Sequence, residues 1–85
     1  MHSHLQSKKA LVVDNSSIIT KIIKNFLVKT GFDKGNIFAA HDKHMAMMMF
    51  DLEKFDLVTS GIHLKGSTGI DLLKDIREKS TDREK

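Results

Sequence analysis

The chain contains no cysteine, no proline, no tryptophan and no tyrosine. Without cysteine, disulfides and thiolate chemistry are excluded, and a reducing cytoplasm is the expected setting. Without proline there is no proline-marked linker, and no strand edge is guarded by one. Without tryptophan or tyrosine, stacking on bases loses its best platforms. No apolar run approaches the ~20 residues needed to cross a bilayer, so no membrane partner is expected. The opening Met1-His2-Ser3-His4 lacks the apolar stretch of a signal peptide. Charge of one sign is also scarce. The net charge is +3 with the lysines spread along the chain, which describes a solvated surface and not a nucleic-acid groove.

What is present is a soluble composition, 40% hydrophobic and 29% charged, over 85 residues. That length allows one small domain, residues 1–85, with a thin core. Residues 1–7 and 80–85 are polar ends expected to be flexible. Ala10-Leu11-Val12-Val13 is a continuous apolar run closed by Asp14-Asn15, the pattern of a strand buried on both faces of a parallel sheet. Ile19, Ile22, Ile23, Phe26 and Leu27 then recur at helical spacing and predict a buried stripe. Asn15 or Ser16 can cap this helix, and Gly31 can end it in the left-handed region. A second strand is expected at 36–40, and a helix capped by Asp42 at about 44–54. A third strand at 55–60 and a third helix at 68–79 complete the pass. Strands alternating with helices imply a parallel sheet with right-handed crossovers.

Two stretches then acquire a shared meaning. KKALVVDNSSIITKIIKNFLVKTGF, residues 8–32, and FDLVTSGIHLKGSTGIDLLKDIR, residues 55–77, resemble the first and third strand–helix units of CheY-like receiver domains of bacterial response regulators. Gly69 matches the glycine opening the third helix, and Ile70, Leu72, Leu73 and Ile76 match its apolar pattern. The resemblance covers nearly the whole chain and corresponds to a receiver's first three βα units. It implies an α/β, three-layer flavodoxin-like parallel sheet in strand order 2-1-3.

The resemblance also implies a site. Receivers accept a phosphoryl group on an aspartate after the third strand, and two acidic residues after the first strand help hold Mg²⁺. Phosphoryl transfer is largely positioning and charge neutralisation, which carboxylates and a hard cation supply. Here Asp14 matches the first acidic residue, Asn15 replaces the second, and Gly61 stands at the acceptor position. The three form a vestigial phosphorylation pocket, with no catalytic residue, no metal ligand set and no cofactor expected. The implied function is a degenerate, shortened receiver that docks to a signalling protein as a homodimer or in a heteromeric complex, and is not an enzyme. The alternatives are a fragment of a metal-dependent phosphoacceptor, which Gly61 opposes, and a small anion- or nucleotide-binding module.

That last alternative rests on GIHLKGST, residues 61–68, where Gly61 and Gly66 have the glycine spacing of G-x-x-x-x-G-K-[ST]. The motif lysine is missing, since Lys65 precedes Gly66 and Ser67 follows it. His41 and His44 straddle a strand end and a helix cap, and with no cysteine to complete a zinc set they read as solvated histidines. The second helix is richer. Ala46, Met47 and Phe50 make one apolar stripe, and Met45, Met48, Met49 and Leu52 make another. A surface helix needs only one. The second stripe is either broad core contact or an adaptable, Met-rich interaction face. Ile18 and Val28, outside the main stripe of the first helix, are further interface candidates.

Overall fold

β1, Ala10–Val13, is buried along its whole length, as its unbroken apolar run requires. It is central because both neighbours pair with it in parallel, Ile37–Ala40 (β2) on one side and Leu57–Ser60 (β3) on the other. The computed structural model describes residues 4–61, 63–64 and 67–84. Among these, the three-stranded sheet has the order β2-β1-β3, as expected. Three helices connect and follow the strands: α1, Ser17–Thr30, α2, Lys43–Leu52, and α3, Gly69–Glu84. Two additional short strands, His63–Leu64 (β4) and Ser67–Thr68 (β5), pair antiparallel just before α3. They were not expected from the sequence. Nor was the reach of α3 to Glu84, past the expected end of that helix at Lys79.

The helix limits follow from capping. Ser16, not Asn15, caps α1, its hydroxyl accepting the Ile19 N–H. At the other end Gly31 adopts φ 124°, and the Phe32 N–H reaches back to the Leu27 carbonyl. That paired closure ends a helix on a left-handed residue. Asp42 caps α2 by accepting the Met45 N–H at 2.8 Å. Both caps satisfy donors that the first turn of a helix leaves without intrahelical partners.

The pleat sends alternate residues of β1 to opposite faces. Ala10 and Val12 join Leu27, Phe32 and Ile37 beneath α1, with Leu5 and Ile23 packed against them. Leu11 and Val13 join Ala40, Ala46 and Leu72 beneath α2 and α3. There Phe38 and Phe55 meet edge to face, with ring centres 5.4 Å apart. Two ion pairs tie α3 to α2, Lys43–Asp75 at 3.0 Å and Lys79–Asp51.

One expectation fails. The α1 stripe predicted to be buried is only partly so. Leu27 and Thr20 are buried and Ile23 is half-buried, while Ile19, Ile22 and Phe26 are exposed, Phe26 to 63%. The periodicity was real, but its centre faces sideways. α1 rests mainly on β1, and a three-stranded sheet is too narrow to cover a stripe of that width.

Candidate functional site

The carboxyl end of the sheet gathers the loops after β1, β2 and β3. The ladder continues one residue past each strand: the Asp14 N–H donates to the Ala40 carbonyl at 3.0 Å, and the Gly61 N–H to the Val13 carbonyl at 2.8 Å. Those two bonds set residues 14, 41 and 61 side by side. Asp14 is half-buried, and its Oδ1 accepts the Ser16 N–H at 3.0 Å, which orients the entry to α1. Its other oxygen lies over Gly61. A Cβ added to Gly61 would sit 2.5 Å from Asp14 Oδ2, far inside contact distance. The carboxylate thus occupies the space that a side chain at position 61 would need.

Nδ1 of His41 lies 3.1 Å from the Asp14 backbone carbonyl. The Ser60 hydroxyl donates to the Gly61 carbonyl at 2.9 Å. Gly69 presses the start of α3 onto this loop, and a side chain there would strike the Gly61 carbonyl and the Ser60 hydroxyl. The involvement of His41 was missed from the sequence. Its only signal was position: it directly follows β2, which a 2-1-3 order places beside the end of β1.

Of the three residues assigned to the pocket, Asp14 and Gly61 come together, while Asn15 is exposed. The pocket therefore holds one carboxylate. Mg²⁺ needs several hard oxygens in octahedral array, and these residues do not fit it. One oxygen of Asp14 already serves Ser16, position 61 offers no side-chain oxygen, and no group of three His, Asp or Glu side chains gathers among the described residues. An acyl phosphate needs a carboxylate at the acceptor position, and none is there.

The anion reading of residues 61–68 also weakens. Lys65 and Gly66 lie outside the described residues. At the start of α3, Thr68 and Asp71 exchange hydrogen bonds, each backbone N–H donating to the other's side chain at 3.2 Å. That reciprocal cap places a carboxylate where an anion would have to sit.

The interface candidates divide. Met45, Met48 and Leu52 are exposed, whereas Met49 is half-buried against the cluster of Leu11, Val13 and Leu72. Ala46 and Phe50 are buried and Met47 is half-buried, so the first α2 stripe is core. Ile18 and Val28 are both exposed on α1. Met47 and Met48, together with His44, Asp51, Asp75, Glu78 and Lys79, line a groove of about 390 Å³ between α2 and α3.

Comparison with known proteins adds the family. Residues 10–84 match the family described as "Response regulator receiver domain". The chain is 39% identical over 72 residues to chemotaxis protein CheY-3 of Vibrio cholerae, covering 85% of this chain and 54% of that protein. It is 39% identical over 69 residues to chemotaxis protein CheY of Pseudomonas aeruginosa, covering 81% and 54%. It is 33% identical over 70 residues to the transcriptional regulatory protein CpxR of Klebsiella pneumoniae, covering 82% and 28%. The chain thus spans about half the length of the chemotaxis relatives. Among solved structures, a mutant of the response regulator MaeR bound to sulfate superposes with a TM-score of 0.77 at 30% identity, covering 85% of this chain and 58% of that one. Chemotaxis response regulator CheY4 of Vibrio cholerae matches with a TM-score of 0.77 at 26% identity, covering 86% and 58%.

Proposed function

Because this chain belongs to the response regulator receiver domain family of two-component signalling, we propose that it works there as a protein-interaction module independent of aspartyl phosphorylation. The observation that carries the proposal is the Asp14–Gly61 contact. Position 61 has no carboxylate to take a phosphoryl group, and the space for one is filled by Asp14. The function left to such a domain is docking. Its exposed apolar side chains, Ile18, Ile22, Phe26, Met48 and Leu52 among them, support that reading, because contiguous exposed apolar patches mark interaction sites. The partner is a signalling protein, met as a homodimer or in a heteromeric complex, in the cytoplasm. No catalytic step is assigned. No helix among the described residues is long and apolar enough to cross a membrane.

Beryllofluoride with Mg²⁺ mimics an aspartyl phosphate and tests the proposal by amide chemical shift. The resonances of Asp14, His41 and Gly61 are expected to stay in place. Saturable shifts at those three amides would show a working acceptor pocket and overturn the reading.

A further inference from the structure

The walls of the groove between α2 and α3 are two helical stripes. His44, Met47, Met48 and Asp51 recur at i, i+3, i+4 and i+7 along α2, and Asp75, Glu78 and Lys79 at i, i+3 and i+4 along α3. The apolar surface lies on the α2 side. Met47 packs on the buried cluster of Leu11, Val13 and Leu72. Met48 is 52% exposed, and Leu52, one turn beyond it, is 78% exposed. Methionine is flexible and polarisable, so such a surface can reshape around an inserted side chain.

The charge of this groove runs against that of the chain. The whole sequence has 14 Lys and Arg against 11 Asp and Glu. The groove is lined instead by three carboxylates, Asp51, Asp75 and Glu78, and one lysine, Lys79. Lys79 pairs with Asp51, and Lys43 reaches Asp75 from α2. The side chains of both pairs are between 35% and 51% exposed, and ion pairs that open to solvent contribute little. A guanidinium, which grips a carboxylate through two parallel hydrogen bonds, can take either acid from its lysine at small cost. Glu78 is exposed and has no ion-pair partner among the described residues. It is open to a cation from outside.

We infer that this groove is the docking site for a cationic amphipathic helix of the partner protein. The apolar side chains of that helix rest on Met47, Met48 and Leu52, and its arginines or lysines meet Asp51, Asp75 and Glu78. The walls require a helix. Every lining residue belongs to α2 or α3, whose backbone groups are already paired along their own axes. An extended peptide would therefore bury N–H and C=O groups without partners, whereas a helix satisfies its own. A second copy presenting the same groove fits poorly, because it sets three carboxylates against three.

The inference rests on the reading of this chain as an interaction module, but its readout is separate from phosphoryl chemistry. The probe is a synthetic peptide of about 16 residues, long enough to turn helical, with leucines at every third or fourth position and arginines beside them. One control peptide carries glutamate in place of arginine, and a second has the same composition with the leucines scattered. Titrated into the isotope-labelled chain, the arginine peptide should give saturable amide shifts centred on Met47, Met48, Asp51, Asp75 and Glu78. Both controls should bind at least about tenfold more weakly. Met48→Lys and Glu78→Lys replace exposed side chains and should keep the fold by circular dichroism. Each should weaken binding about tenfold, whereas Leu73→Gln, in a separate recess of α3, should leave it unchanged. Four results would overturn the inference: no saturable shifts or shifts centred elsewhere, equal binding of the three peptides, binding indifferent to both lysine substitutions, or a homodimer that buries the groove.

Discussion

Replacing Gly61 with alanine tests the packing of the pocket without touching its chemistry. Among the described glycines only Gly31 has positive φ, so alanine at 61 meets no backbone strain. Taken alone, Gly→Ala at a compatible position stabilises by about 0.4–1 kcal/mol, because the unfolded chain has less freedom to lose. Against this stands the added Cβ, 2.5 Å from Asp14 Oδ2 and 3.1 Å from Asp14 Cγ. The carboxylate must swing away and release the Ser16 N–H from Oδ1. A hydrogen bond to a charged group contributes roughly 1.5–3 kcal/mol, and crowding typically costs roughly 1–3 kcal/mol. The losses overlap because one rotation relieves the clash and breaks the bond. Gly61→Ala should therefore destabilise by about 1–2 kcal/mol net. In an Asp14→Ala background the same change should reverse sign and stabilise by about 0.4–1 kcal/mol. Urea unfolding of the four proteins, compared at constant m, gives both numbers. The same effect of Gly61→Ala in both backgrounds would refute the claim that Asp14 fills the acceptor space.

Three further outcomes are expected. Met48→Lys and Leu52→Lys should each change stability by no more than about 0.5 kcal/mol, whereas Met49→Lys should cost several times that, read by thermal melting. Leu72→Ala should cost roughly 2–5 kcal/mol in urea unfolding, because Leu72 is fully buried against Leu11, Val13 and Ala46. Ser16→Ala should cost about 0.5–2 kcal/mol by removing the α1 cap, and Ser16→Thr should recover most of it.

The elements were legible where local physics decides them. The apolar run of β1, a cap of α1 at Asn15 or Ser16, the cap at Asp42, and the left-handed closure at Gly31 all follow from neighbouring residues, and the structure selects Ser16. The burial of α1 did not, because periodicity reports the width of a stripe and not the width of the sheet beneath it. α2 shows the same limit. Two stripes could be read from its sequence, but Met49 leaves the exposed one and packs on the core. In the pocket, the missing carboxylates were plain at Asn15 and Gly61. The contact of Asp14 with Gly61 was not, since it depends on the pairing of strands distant in sequence. His41 entered for the same reason.

The central claim is that this receiver domain does not accept a phosphoryl group at its third strand. Incubation with acetyl phosphate and Mg²⁺, followed by intact mass measurement, tests it most directly. The chain is expected to keep its unmodified mass while a phosphorylatable receiver in the same tube gains one phosphoryl group. A stoichiometric, base-labile adduct on this chain would contradict the account.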